Sequence, residues 1–294
     1  MLICLRQFVS FYKILLTVNL LLTIMQVRHS FLLRQTFFIC ILCILSIAAG
    51  CYNSLKAQQN FVLTHYDSLA LENVIVEKYY ISDSSDYIDT IGGILPKGSI
   101  TYRIYIDMKP GYRLQLVYGD KKHELVIKTS TVFFNNLFCL AITGFNIHPK
   151  EINLNTVALD SWITMGAATK IHTGILRADD TDGSIIKRST LSKADGLTNG
   201  TFPMFKEMNL DLSFFKDKKD ASEFKTNNGG WAALGGGGVI GPTEDNRVLI
   251  AQLTTNGKLS FNLNIQIGTP SHSWVKFVSK NPGPGEIQFS GLAY

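Results

Sequence analysis

Two short stretches carry residue types that do chemistry at suggestive spacing. Residues 236–241 read Gly-Gly-Gly-Val-Ile-Gly and match G-x-G-x-x-G, the turn that holds a dinucleotide pyrophosphate. Such a turn must follow a strand and open a helix, because the helix's first amides bind the phosphate. Here Pro242-Thr243-Glu244-Asp245-Asn246 and then a strand-like run follow. No Lys-Ser/Thr pair completes a phosphate loop, and no βαβ pattern surrounds the run. The expectation is a surface loop between strands, with no nucleotide. The second stretch is Asp179-Asp180-Thr181-Asp182-Gly183-Ser184-Ile185. Asp180, Asp182 and Gly183 match the third, fifth and sixth positions of a calcium loop, but Ala178 and Ser189 stand where its first and last carboxylates belong. The reading is an acidic Asx-type turn, with a structural calcium ion on Asp180, Asp182 and other ligands as the alternative; no other cofactor is expected.

Aromatic rings with polar neighbours stack on sugars. Trp162, within Leu159-Asp160-Ser161-Trp162-Ile163-Thr164, reads as core. Trp231 sits among glycines, a context that predicts exposure, and Trp274 lies near a strand end. The alternating polar positions Ser260, Asn262, Asn264 and Gln266 would add amide hydrogen bonds from one strand face. The candidate ligand-binding set is therefore Trp231, Trp274, Asn262, Asn264 and Gln266. Other chemistries lack a local signature. His65, His123, His148, His172 and His272 are scattered, with no H-E-x-x-H, and no G-x-S-x-G elbow exists. Cys139, in Phe138-Cys139-Leu140-Ala141-Ile142, reads as a buried thiol. A glycosidase's carboxylates pair in space and not in sequence, so a hidden pair among the acidic residues stays open.

The elements that must position these residues are strands. Thr101–Met108 alternates, with Tyr102, Ile104, Ile106 and Met108 on one face, and Pro110-Gly111 turns the chain into 113–118. Gly119–Lys122 turns it again into 124–128, which predicts a meander. Residues 247–255 meet Asn256-Gly257, the strongest short hairpin signal, and the return run buries Leu259, Phe261, Leu263, Ile265 and Ile267. One short charged helix is predicted over 213–225, with Phe214, Phe215 and Phe224 inward. Many short strands between turn residues predict an all-β fold, an antiparallel, jelly-roll-like β-sandwich with at most one or two short helices. Residues 58–294 form its single domain.

The chain's charge is local. Of 28 Lys and Arg, five (Arg6, Lys13, Arg28, Arg34, Lys56) fall in residues 1–57, which hold no Asp or Glu. The rest carries 28 − 5 = 23 basic against 23 acidic residues, so no basic excess serves a nucleic acid. Arg28 and Arg34 precede the apolar run 37–49, the pattern of a secretory leader. Cleavage fits after Ala57; alternatively Ala48-Ala49-Gly50 before Cys51 resembles a lipobox, giving a lipid anchor at Cys51. A second apolar patch spans 8–25. It is either an extension ahead of a start at Met25 or part of a membrane anchor. Cys4, Cys40, Cys43 and Cys51 lie in or beside the leader, which leaves Cys139 alone and no internal disulfide.

Residues 98–107 and 117–120, with Leu159–Thr164, Asp180–Ser184 and Asn246–Gln252, together resemble an uncharacterised family of secreted bacterial proteins common in Bacteroidetes. The resemblance covers roughly residues 70–294. It implies secretion and an all-β body, and it brings no activity and no catalytic residue. The functional expectation is a secreted or cell-surface binding or adhesion module contacting a glycan or a cell-surface protein. A polysaccharide hydrolase with a hidden carboxylate pair and a structural envelope protein are the alternatives.

Overall fold

The computed structural model describes residues 67–294 except 140, 184–190, 192–194, 217–220 and 235–236; the expected leader, Cys51 and both expected cleavage sites lie outside the described residues. Fifteen strands, among the described residues, form four sheets. The first runs β1 (Leu71–Ile81), β2 (Ile100–Met108), β11 (Arg247–Thr255), β5 (Trp162–Ile163) in spatial order. The second runs β15 (Glu286–Gln288), β14 (Trp274–Val278), β13 (Asn264–Gly268), β3 (Arg113–Gly119), β10 (Gly229–Leu234), β8 (Met204–Met208). A three-stranded sheet holds β12 (Leu259–Asn262), β4 (Leu125–Thr129) and β9 (Glu223–Thr226), and a small one pairs β6 (His172–Gly174) with β7 (Leu197–Asn199). Every pairing is antiparallel except β14 with β15. Two short helices, α1 (Ser84–Ile88) and α2 (Ser213–Lys216), complete the described regular elements of note.

The fold is the predicted all-β sandwich. Ile104 and Ile106 of β2 and Val248 and Ile250 of β11 share one apolar cluster with Val117, Trp231, Ile265, Ile267 and Phe277 of the six-stranded sheet. Burying each large side chain of this kind stabilises by about 1.5–3 kcal/mol, which makes this interface the main source of stability.

The connections depart from the predicted meander. β2 and β3 belong to different sheets, as do β3 and β4, and β11 and β12. The Asn256-Gly257 turn is therefore an arch from one sheet to another and not a hairpin. The strands it joins pair on different sheets, and the turn lacks the positive φ that a two-residue type I′ hairpin needs at both central residues. Instead Gly257 donates its N–H to Thr255 Oγ1 at 2.9 Å, and Lys258 donates to Ser130 Oγ at 2.8 Å. The helix predicted over 213–225 is also corrected. Only Ser213–Lys216 is helical, and Glu223–Thr226 pairs with β4 as a strand. Phe215 and Phe224 are buried as expected, whereas the Phe214 side chain lies outside the described residues.

The alternation in β2 conceals a second layer. Its other face carries Thr101, Arg103 and Tyr105, and all three are buried. Tyr79, Tyr105 and Leu249 of the first sheet pack there against Ile147, Leu159, Leu191 and Leu197, contributed by the long segment that runs from the end of β4 into β7. Trp162 joins this cluster, at 1% exposure, as the core residue the sequence predicts. The inner strands β2 and β11 are thus dry on both faces, whereas the edge strand β1 is partly exposed.

Candidate functional site

The five predicted ligand-binding residues do not stay together. Trp231 is the clearest correction. It is fully buried on the inward face of β10, with its indole N–H donated to Thr164 O at 2.9 Å, so no ligand reaches it. The flanking glycines that suggest exposure have another cause: at Gly230 a Cβ would lie 2.3 Å from Val117 O, so the strands close only on glycine. Asn262 and Asn264 sit on different sheets, in β12 and β13, on either side of buried Leu263. Asn264 is 1% exposed and uses both amide hydrogens on Tyr118 O and His123 O, each at 3.1 Å, so it clamps a turn. Asn262 is half-buried beside Ala293.

Gln266 and Trp274 do come together, on the outward face of the six-stranded sheet. In register, Arg113 of β3 lies opposite Gly268 of β13, and Gly268 lies opposite Trp274 of β14. Antiparallel partners point to the same face, so Arg113 and Trp274 flank Gly268, a position without a side chain, on that face. Strand spacing puts their backbones about 10 Å apart. Trp274 is 43% exposed, and the Nζ of Lys276, its neighbour on that face, lies 5.6 Å from the indole centroid.

A bulge supplies the floor. β13 pairs Gln266 with Leu116 but Ile267 with Leu114, so Gln115 is the extra residue. Bulges re-aim a side chain. Here Gln115 receives a hydrogen bond from Gln266 Nε2 at 2.9 Å and donates its own amide to Gly237 O at 2.9 Å. Its amide lies across Gly268, where a Cβ would come within 2.5 Å of Gln115 Nε2. Gly268 is thus the residue that admits the amide floor.

The glycine run joins the same site in a role other than phosphate binding. Beyond β10, Val239 exchanges two backbone hydrogen bonds with Leu114, each 2.8 Å. Gly238 has φ +120 and would clash with Leu114 O as any other residue, and Gly237 has φ +76. Strand β11, not a helix, follows the loop. Arg113, Gln115, Gly237, Gly268, Thr269, Pro270 and His272 bound a cleft of about 420 Å³. Arg113, Gln115, Gly237 and His272 are the residues the sequence reading missed. The bulge that gathers them depends on pairing between distant strands.

The acidic stretch is a structural staple. Asp180 is 7% exposed. Its Oδ1 accepts from Gly183 N at 2.9 Å, and its Oδ2 accepts from Gly196 N at 2.8 Å and Leu197 N at 3.2 Å. Burial pushes its carboxyl up, but hydrogen bonding with the Asp195 side chain and these amides outweighs that and holds it at about 2. Asp182 is exposed, and Asp179 pairs with Arg247 Nη1 at 3.0 Å. No group of three His, Cys, Asp or Glu among the described residues is placed to hold a metal ion. Ile185 and Ser189, the later positions of the calcium pattern, lie outside the described residues. Because the folded carboxyl titrates below the unfolded one, Asp180 stabilises fully above about pH 4 and loses this contribution as pH falls toward 2. Asp180→Asn should therefore flatten the acid limb. Denaturant midpoints measured from about pH 5 to about pH 2 should fall less in the variant than in the parent, and parallel curves would refute the staple.

Cys139 is buried, and burial pushes its thiol up to about 12, which fits the inert thiol read from sequence. A second depression, about 240 Å³, is lined by Ile94, Leu95, Val132, Phe133 and Leu137 among others and brings no charged group. Comparison of the chain with protein-family models, curated proteins and solved structures finds no match.

Proposed function

We propose that this protein is a secreted or cell-surface binding module whose ligand is carbohydrate, held in the Arg113–Trp274 cleft. The observation that carries this reading is the combination of a half-exposed indole at the margin of the cleft with a fixed floor of paired amides. Sugars present an apolar ring face and a rim of hydroxyls. An aromatic plane and oriented amide groups complement the two. The amides are pre-organised by the bulge and by Gly237 O, so little ordering cost falls on binding. Secretion is supported by the basic flank and apolar run of the leader.

The hydrolase reading has weaker support. It needs two carboxyl groups facing a substrate across a gap of about 5–10 Å. The described residues that line the cleft include no Asp or Glu. A depression of about 210 Å³ is lined by Asp179, Asp180 and Asp182, but there Asp179 is engaged by Arg247 and Asp180 by backbone amides, which leaves the exposed Asp182 as the third. A flat envelope component would not need a cleft of about 420 Å³.

The test is a panel of polysaccharides run against the full chain, with retention and reducing-end release measured together. Retention of at least one polymer without new reducing ends is expected. Release of reducing ends, or no retention of any polymer, would overturn the proposal.

A further inference from the structure

We infer that the saccharide bound in this cleft is acidic, a polymer bearing uronate carboxylates; the inference rests on the glycan-binding reading above. Its basis is the charge around the cleft. Arg113 forms one wall and is exposed. Lys276 stands beside Trp274 on the same face, its Nζ 5.1 Å from the Tyr118 ring centroid as well. Among the described residues, no carboxylate lies within 4.0 Å of either cation. Glu286, opposite Lys276 in register, is already engaged: its Oε2 lies 2.8 Å from His123 Nε2 and accepts from Gly283 N at 2.7 Å. His272 lines the cleft too.

This concentration of cations is local, because the chain beyond residue 57 carries 23 basic and 23 acidic residues. A neutral sugar lying between Arg113 and Trp274 would strip water from a guanidinium and return no charge to it, which is costly. A uronate returns a planar carboxylate that the guanidinium fork can take with two hydrogen bonds. The same cations that attract the acidic sugar thus discriminate against the neutral one.

The experiment compares galacturonate, glucuronate and mannuronate polymers, each with its carboxyl-reduced neutral counterpart, for binding to the full chain. At least one uronate polymer is expected to bind at least about tenfold tighter than its reduced form. That preference should shrink as salt rises from about 0.01 M to about 0.15 M. The double variant Arg113→Gln, Lys276→Gln should lose most of the preference and keep the parent's thermal midpoint. If neutral polymers bind as tightly as their acidic parents, or the double variant keeps the preference, the acidic specificity is wrong and glycan binding stands. If no polymer of either kind binds, both readings fall.

Discussion

Arg103→Met is expected to destabilise the protein by about 3–5 kcal/mol, the cost of removing one member of a buried charged network. In a domain of this size that lowers the thermal midpoint by roughly 6–20 °C. Arg103 is 1% exposed in the middle of β2. Its Nε donates to Gln252 Oε1 at 2.9 Å, its Nη1 to Gly196 O at 2.8 Å, and its guanidinium carbon lies 3.6 Å from the Tyr79 ring centroid. Burial disfavours its charge, but Tyr79, Tyr105 and the cross-strand partner Glu77 offset this and hold it protonated. Burial in turn pushes the Glu77 carboxyl up, against the pull of Arg103. The network ties the sheet to the loop layer, since Tyr79 and Tyr105 donate their hydroxyls to Asp195 O at 2.6 Å and Ile175 O at 2.7 Å. Methionine fills the space but leaves Gln252 Oε1 and Gly196 O without their donor and removes one of the two cations, Arg103 and Arg177, that act on Glu77. Arg103→Lys restores the charge without the planar fork and should fall between the two. Urea unfolding checks this, and a loss under about 1 kcal/mol for Arg103→Met would contradict it.

Trp274→Ala is expected to raise the Kd for the bound polysaccharide by roughly 30-fold or more, the scale of an aromatic hot spot worth about 2 kcal/mol. By register the indole stands on the same face as Arg113, at the margin of the cleft, and no Phe, Tyr or Trp is among the described residues that line it. Its partial exposure keeps the structural cost small, so stability should shift by no more than about 0.5 kcal/mol. Titration calorimetry beside a thermal melt separates the two effects. Unchanged affinity, or a collapse in stability matching the loss of binding, would remove Trp274 from the site.

The contrast between these residues shows what sequence makes legible here. Period-two alternation places Ile104 and Ile106 in the core correctly. It leaves the face of Arg103 and Tyr105 unassigned, and they are dry because a loop layer some 40 to 100 residues away in sequence covers them. Local pattern records only the strand's own chemistry, whereas burial on the second face is set by a distant segment. The Asn256-Gly257 pair fails for a similar reason: its residues permit a hairpin, but the adjoining strands find better apolar partners on different sheets. At the cleft, Trp274 and Gln266 are visible as candidates from their types, and Trp231 is misassigned because glycine flanks signal close strand approach as readily as exposure. Arg113 and Gln115 have no signal of their own. Their placement follows from the β3–β13 register and its bulge.

The most direct test of the cleft uses the protein's own fluorescence. The chain has three tryptophans, and Trp162 and Trp231 are 1% and 0% exposed against 43% for Trp274. Acrylamide quenching of the full chain therefore reports chiefly on Trp274. Saturating polysaccharide is expected to shield this indole and remove most of the quenchable emission, with the effect absent in Trp274→Phe. Polysaccharide that binds while Trp274 stays as quenchable as before would contradict the account.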